Sequence, residues 1–253
     1  MQYIYITLKN NFAYRWPVLF STLSSVISVA VLIFLWKYLY GNNPEMFDYM
    51  VRYTILSNIF SFFYCRGMAS RIGGKVADGN FVFDLLKPIN IFVMAWQREI
   101  AELISNFLIR GIPVILVYLF FLIRNGVYYN IFFCITSLLM SHVLFILMYS
   151  LLGFMSFVLI NIWPFQRVLE DTIRLFGGGI IPLSLLTGKL YLIANILPFR
   201  LLYSFPLEII LGKVQIKQIY FNFMIEIIWI ILFAFLNYAV YRRAINKVAV
   251  QGG

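Results

Sequence analysis

The sequence predicts an all-α integral membrane protein, a single domain over residues 1–253 with six transmembrane helices. Of these 253 residues, 62% are hydrophobic and only 12% are charged, and the mean hydropathy is +0.88. Soluble domains carry about 25% charged residues, so this chain has too few charges to cover a water-exposed surface. Several uncharged runs are long enough to cross the roughly 30 Å hydrocarbon layer. The aromatic content of 19% excludes a disordered chain. The lipid bilayer is therefore the first partner that we expect.

The N-terminal part predicts an interfacial helix followed by the first span. Residues 1–16 mix apolar and basic side chains, as helices lying at the membrane surface do. Residues 16–36 carry no charge, and about 20 apolar residues suffice for one crossing. Pro17 suits the entry to a helix, because it lacks an amide hydrogen that the first turn does not use. Gly41 to Pro44 predict a turn.

The next three spans are less regular in composition. The second begins near Phe47 and must hold Arg52 in its outer part. The third covers about 100–123 and contains Arg110. The fourth lies in the long uncharged stretch of 130–160.

The last two spans are interrupted by helix breakers or charge. The fifth begins near Asp171 and contains Gly177–Gly179 and Pro182, and the sixth covers about 218–241 with Glu226 inside it. An even number of spans puts both termini on one side. The positive-inside rule places them in the cytoplasm, since more Lys and Arg then face inward, across what we expect to be a bacterial plasma membrane.

The longest polar stretch, residues 66–98, follows the second span, and residues 66–90 of it are predicted to form a cytoplasmic loop. Arg71, Lys75 and Asp78 follow helical spacing, and Gly79 with Asn80 can end that helix. Two interpretations stay open: a short amphipathic helix that docks to a cytoplasmic partner, or a solvated loop touching lipid headgroups. The stretch lacks the glycine and Lys-Ser/Thr pattern of a nucleotide-binding loop. Any ATPase must therefore be another chain.

A second unusual segment, residues 188–215, stays apolar although prolines and glycines interrupt it. Such a sequence cannot form one straight helix. Irregular backbone at membrane depth needs protein or water beside it. We expect two short re-entrant helices hinged between Pro198 and Pro206, with an outer loop lying on the bilayer as the alternative.

Three charges are predicted inside the membrane: Arg52, Arg110 and Glu226. A charge at mid-depth costs on the order of 3 kcal/mol, so these groups should face protein or a water-filled path. Either they pair with one another or they line a substrate route. Glu99 and Glu102 share a helix face with Arg110 and are expected to extend toward the membrane surface.

The remaining chemistry-bearing residues predict little. His142 fits a hydrogen-bonded structural histidine better than a proton relay. Cys65 and Cys134 lie near opposite predicted membrane faces and should be free thiols. One His in the chain excludes a His-rich metal site, and we expect no metal site and no catalytic residue. The net charge of +10 is explained by membrane orientation, so we expect no nucleic-acid partner.

Two stretches resemble a known family. They read IGGKVADGNFVFDLLKP over 72–88 and LPFRLLYSFPLEIILGK over 197–213. With the order of the spans, they resemble the permease subunits of type-2 ABC exporters, the ABC-2 family, in particular its daunorubicin-resistance-like branch.

The resemblance implies a permease subunit that is not itself an enzyme. It implies dimerisation with a second permease, as a homodimer or heterodimer, and binding of two copies of a cytoplasmic ABC ATPase. The chain would hold no cofactor, and ATP and Mg would lie on that ATPase. The segment before the sixth span would be an outer gate, with Pro198, Phe199 and Pro206. The polar stretch would be the coupling helix, with contacts to the ATPase from Arg71, Lys75, Asp78, Gly79, Asn80, Phe81, Phe83 and Asp84.

On this interpretation an amphipathic substrate, a drug, peptide or lipid, leaves along the dimer interface. The first, second and fifth spans would line the route with phenylalanines and serines. The serines are Ser21, Ser24, Ser25, Ser28, Ser57 and Ser61. Two alternatives stay open. One is an ion-coupled secondary transporter that uses Glu226, Arg110 and His142, and the other is a membrane-embedded enzyme.

Overall fold

The computed structural model describes residues 15–86, 91–116, 118, 130–159 and 161–251, and all regular structure within them is helical. Three of these helices are long and apolar enough to cross a membrane: Phe20–Tyr40, Ile131–Phe157 and Ile216–Arg243. The pair Gly188–Ile196 and Pro198–Ile210, bent by 70°, adds a fourth if it counts as one broken span. The membrane protein and its all-helical fold are thus as predicted, whereas the six-span count is not confirmed.

The first two helices form an antiparallel hairpin. Helix α1 (Arg15–Tyr40) covers the predicted first span, and α2 (Pro44–Ser61) follows after a tight turn. Asn43 caps α2 with its side chain, which satisfies a free amide at the start of that helix. Trp36 donates from its indole to the hydroxyl of Thr54 at 2.9 Å, so the two helices are joined by a buried hydrogen bond. Of the predicted interfacial helix 1–16, residues 1–14 lie outside the described part.

The chain then forms two short helices separated by a turn. Helix α3 (Gly67–Ala77) ends where it was predicted to end, because Gly79 adopts the left-handed conformation with a φ of +71°. Helix α4 (Phe81–Leu85) follows at once. We call residues 66–86, which contain both helices, the elbow. Residues 87–90, the end of the predicted coupling loop, are outside the described residues.

Helix α5 (Ile91–Asn106) begins the predicted third span. It widens into a π-helical turn over Phe107–Gly111 and continues as α-helix over 112–116. Such widened turns relieve a break in the regular hydrogen-bond ladder, and Pro113, which has no amide hydrogen, lies just beyond this one. Most of the predicted third span beyond residue 116 is outside the described residues.

Helix α6 (Ile131–Phe154) forms the centre of the molecule. It is apolar all round, and more than half of its residues are buried. A helix of this kind belongs inside a bundle. The C-terminal helix α10 (Ile216–Gln251) packs along it, and the elbow packs against its end.

The segment between α6 and α10 is the least regular. Helix α7 (Trp163–Phe176) ends at Phe176 and does not continue through Gly177–Gly179 as the predicted fifth span requires. Gly178 has a φ of +80°, a conformation that turns the chain out of a helix. Helices α8 (Gly188–Ile196) and α9 (Ser204–Ile210) follow, separated by a 3-10 turn.

Candidate functional site

An ion-pair network holds the elbow to α5. The Arg71 guanidinium donates to the carboxylates of Glu99 and Glu102, one helical turn apart on α5. The side chain of Glu99 is only 1% exposed. Both glutamates therefore point toward Arg71, and the side chain of Glu102 stays 29% exposed. The network links the elbow directly to the start of the predicted third span.

A second ion pair closes the elbow on itself. The Lys75 ammonium group on α3 donates to the carboxylate of Asp84 on α4, which is almost fully buried. A buried carboxylate needs such a partner, because removal from water otherwise costs several kcal/mol. The pair fixes the angle between α3 and α4.

An aromatic anchor connects the elbow to the end of α6. The side chain of Phe81 is 3% exposed and meets the ring of Phe157 edge-on, with 5.0 Å between centroids. It also meets Phe154 at 6.4 Å. Burying one phenylalanine contributes about 2–3 kcal/mol, so this contact is a major attachment of the elbow.

Glycines allow α3 to approach its neighbours closely. A Cβ built at Gly153 of α6 would lie 2.9 Å from Ile72, and one built at Gly73 would lie 2.4 Å from Ile162. Neither position tolerates a side chain without movement. A Cβ built at Gly74, by contrast, would meet no neighbouring atom within 4 Å, so this glycine faces open space.

The start of α7 supports the elbow from the other side. The side-chain amide of Gln166 donates to the backbone carbonyl of Arg66 at 3.1 Å and to Glu170 at 3.0 Å. The hydroxyl of Ser70 donates to Gln166 at 2.5 Å. A cavity of about 440 Å³ remains between α3 and this part of α7. The elbow is thus fixed to α5, α6 and α7 together.

The predicted coupling residues divide into two groups. Phe81 and Asp84 are buried, and Arg71 and Lys75 are half-buried and form ion pairs within the chain. Asp78, Gly79, Asn80 and Phe83 are exposed. An apolar tip is formed by Val82, Phe83 and Leu86, which are 43%, 64% and 76% exposed. We call Val82, Phe83 and Leu86 the elbow tip.

A second candidate region lies between Gly177 and Leu202, where turns and 3-10 segments interrupt the helices. Backbone carbonyls in such a segment need donors if no water reaches them. Four hydroxyl groups supply them: Tyr53 to Gly178 (2.6 Å), Ser57 to Gly179 (2.6 Å), Ser141 to Leu201 (2.6 Å) and Tyr64 to Leu202. The sequence analysis missed these roles. The sequence did contain a hint of these roles. Hydroxyl side chains occur in helices that are otherwise apolar, and the same chain has a glycine-rich break whose carbonyls need donors.

The predicted gate residues lie in this region, at the bend of 70° between α8 and the segment Pro198–Ile210. Pro198 begins the 3-10 turn and is buried, and Phe199 is partly buried. Pro206 is buried in α9, and its carbonyl accepts from the Cys134 thiol at 3.4 Å. The bend therefore lies at Leu197, at the N-terminal edge of the predicted hinge region Pro198–Pro206.

Among the described residues, the three predicted intramembrane charges have different surroundings. Arg52 pairs with Asp48 one turn earlier on α2, at 2.9 Å. Arg110 lines a cavity of about 280 Å³ beside Cys65. Glu226 is fully buried, and its Oε1 lies 3.0 Å from the Ser141 hydroxyl oxygen, whose hydrogen is directed to Leu201. Its Oε2 atom has no hydrogen-bond partner among the described residues.

The other chemistry-bearing residues are structural in their contacts. His142 Nδ1 lies 2.8 Å from the carbonyl oxygen of Phe63. In the described structure no hydrogen bond or ion pair connects His142, Arg110 and Glu226, the three residues named for the secondary-transporter alternative. The two cysteines are free and buried, as predicted. Ligand atoms of Cys65, Glu99 and Glu102 lie within 4.8 Å of one another, but Arg71 already donates to both carboxylates.

A crevice of about 440 Å³ lies between α1 and α2 and extends to the glycine turn after α7. Of the serines predicted to line a substrate route, Ser28, Ser57 and Ser61 line this crevice. Arg66 and Arg174 also line it, and the sequence analysis did not assign them a role.

Comparison with known proteins gives one positive finding. A family model described as "ABC-2 family transporter protein" matches residues 19–252, which include the elbow, the bent pair of helices and the crevice. No curated protein and no solved structure matches the chain.

Proposed function

We propose a function from the premise that this chain belongs to the ABC-2 family of transporter proteins. The family and the apolar helices make it a multi-pass membrane protein and a transport component that is not itself catalytic. The proposed function is that of the permease subunit of an ATP-driven exporter in a bacterial plasma membrane. Both termini face the cytoplasm, where ATP and Mg are bound by a separate ATPase.

The observation that carries this proposal is the elbow. It presents the exposed apolar elbow tip, while Arg71, Phe81 and the face of α3 that contains Ile72 attach it to the neighbouring helices by ion pairs, aromatic contact and glycine packing. Exposed apolar groups rimmed by polar ones typically mark a protein contact. The exposed polar residues Asp78 and Asn80 lie beside the elbow tip. A cytoplasmic ATPase of the ABC type is the partner that the family supplies.

The attachments of the elbow suggest how movement reaches the membrane. A rigid element transmits force only to the elements to which it is fixed. Arg71 connects the elbow to α5, and Phe81 connects it to the end of α6. Closure of two ATPase subunits around ATP would therefore displace α5 and α6 together. Such a displacement shifts the permease between two states, provided that ATP binds one of them better.

The route and gate complete the proposal. An amphipathic substrate would enter the crevice between α1 and α2, at a dimer interface with a second permease, and leave past the bend at Pro198. The side chains on the outside of α1, including Phe20, Ile27 and Phe34, are exposed in the single chain, which supports contact with lipid or a second permease. The two quoted stretches support the daunorubicin-resistance-like branch within the family.

Site-specific photocrosslinking tests the ATPase contact. A benzoylphenylalanine at position 83 should crosslink to a chain that binds ATP, since Phe83 is 64% exposed at the elbow tip. The matched control is the same probe at position 168, because Val168 is 66% exposed on α7 outside the elbow. Adducts should be identified by mass spectrometry after purification in mild detergent.

The activity of the purified complex gives a second measurement. Phe83→Asp should abolish copurification of ATP hydrolysis while the permease still folds, because the change places a charge in an apolar contact. A permease that yields no ATPase adduct at position 83, or that transports in proteoliposomes without any ATPase, would overturn the proposed function.

A further inference from the structure

We propose that the crevice between α1 and α2 is a binding site for the anionic head of an amphiphile, with Arg174 as the recognising group. The inference rests on the proposed function and deepens it, because it assigns the substrate a carboxylate or phosphate head on an apolar chain.

The crevice has both polar and apolar lining. Helix α2 contributes the hydrogen-bonding side chains of Thr54, Ser57, Asn58 and Ser61, and α1 adds Ser28. The apolar side chains are those of Ile27, Val29, Val31 and Leu32 on α1, with Ile180 after the glycine turn. The volume of about 440 Å³ falls within the range of ligand pockets, which is roughly 300–1,000 Å³. The crevice is therefore suited to a molecule with a polar head and an apolar chain.

The charge of the crevice is positive. Its lining contains Arg66 and Arg174 and, among the described residues, neither aspartate nor glutamate. Arg66 is partly neutralised, since its Nη1 lies 4.0 Å from Glu170. In the described structure Arg174 forms no ion pair with an acidic residue, and its side chain is exposed to the crevice. One guanidinium is thus available for an anion.

Guanidinium groups bind carboxylates and phosphates through paired charge-assisted hydrogen bonds. The serine hydroxyls of the crevice already donate to backbone carbonyls. The side-chain amide nitrogen of Asn58, whose amide oxygen accepts from Ser25, can donate to the same oxygens of the anion. A cationic head would instead meet the guanidinium of Arg174 in a crevice whose described lining contains no acidic residue. The anion can come from a membrane lipid or from a transported amphiphile, since both present the same chemistry.

Photolabelling tests the site with the purified full-length chain in phosphatidylcholine nanodiscs. The probes are a diazirine-bearing dodecanoate and its methyl ester, which share the apolar chain and differ only in charge. The dodecanoate should label peptides of α1 and α2 more than the ester does. Arg174→Gln should lower labelling by the dodecanoate on the order of tenfold, the loss expected for one charge-assisted hydrogen bond, and should not change labelling by the ester.

Three further variants keep the result interpretable. Arg174→Lys should restore most of the labelling, because it keeps the charge. Arg243→Gln should have no effect, since this exposed arginine lies at the far end of α10. Ile180→Trp should reduce labelling by both probes, because it narrows the crevice. Equal labelling by dodecanoate and ester, or an Arg174→Gln variant that labels like the wild type, would overturn the proposal.

Two conditions distinguish the sources of the anion. If a lipid head occupies the crevice, phosphatidylglycerol in the nanodisc should displace the dodecanoate. If a transported amphiphile occupies it, the dodecanoate should raise ATP hydrolysis by the copurified complex in a manner that requires Arg174. Labelling that shows neither behaviour would overturn the assignment. Labelling that requires Arg174 in a chain that binds no ATPase would instead refute the proposed function and leave the site in place.

Discussion

Replacement of Arg71 by alanine should detach the elbow from α5. In the wild type Arg71 donates to both Glu99 and Glu102. The side chain of Glu99 is 1% exposed, whereas that of Glu102 is 29% exposed. Arg71→Ala therefore leaves one carboxylate buried without a charged partner and another that water can still reach.

The magnitude follows from these exposures. Removing one partner of a buried ion pair costs about 3–5 kcal/mol, mostly the penalty of the charge that remains buried. Only one of the two carboxylates is fully buried, and Arg71 itself is 31% exposed. We therefore expect the lower end, about 3 kcal/mol, in the free energy of unfolding.

The assay is unfolding by SDS in mixed micelles, with helix content followed by circular dichroism. The double variant Arg71→Ala with Glu99→Gln should recover about half of the loss or more, because a neutral amide is cheaper to bury than a carboxylate. Arg167→Ala is the matched control. Arg167 is 61% exposed and also pairs with a glutamate, so its removal should cost less than about 1 kcal/mol. Equal losses for Arg71→Ala and Arg167→Ala would refute the reasoning, since Glu99 would then not depend on Arg71.

Three further substitutions test the other contacts. Phe81→Ala should destabilise the fold by about 3–5 kcal/mol, whereas Phe83→Ala, two positions later and exposed, should change stability by less than about 0.5 kcal/mol in the same unfolding assay. Gly153→Ala should cost about 1–3 kcal/mol through its clash with Ile72, and Ile72→Ala should relieve much of that cost in the double variant, measured in an unfolding cycle. Tyr53→Phe should cost about 1 kcal/mol, because the carbonyl at the glycine turn loses its donor, and limited proteolysis after α7 should become faster.

Controls for these substitutions come from the same elements. Gly74→Ala, in open space next to a crowded glycine, should leave stability unchanged or raise it by up to about 1 kcal/mol, since alanine favours helix. A large loss for Gly74→Ala would contradict the described packing of α3. Thr136→Val removes a hydroxyl whose hydrogen bond stays within one helix turn of α6, and it should cost less than Tyr53→Phe.

The membrane class and the places of the unusual segments were predictable from the sequence. Hydropathy and charge content act through the solvent, and a chain with 12% charged residues can satisfy its surface only in lipid. Gly79 ended its helix as predicted, and the bend near Pro198 occurs where helix breakers interrupt an apolar run. These features depend on backbone preferences of single residues, so local sequence suffices to find them.

Which side chains contact one another could be learned only from the tertiary structure. Spacing placed Glu99 and Glu102 on one helix face, but only the packing of α3 on α5 brought Arg71 to them. Phe81 and Phe83 are the same residue type two positions apart, and burial alone assigns one to the interior and the other to the surface. Contacts between residues far apart in the chain depend on how whole helices pack, and no local pattern encodes that arrangement. The sequence by itself determined that this protein is surrounded by lipid and where its helices break. The tertiary structure decided which charges, aromatic rings and hydroxyl groups contact one another.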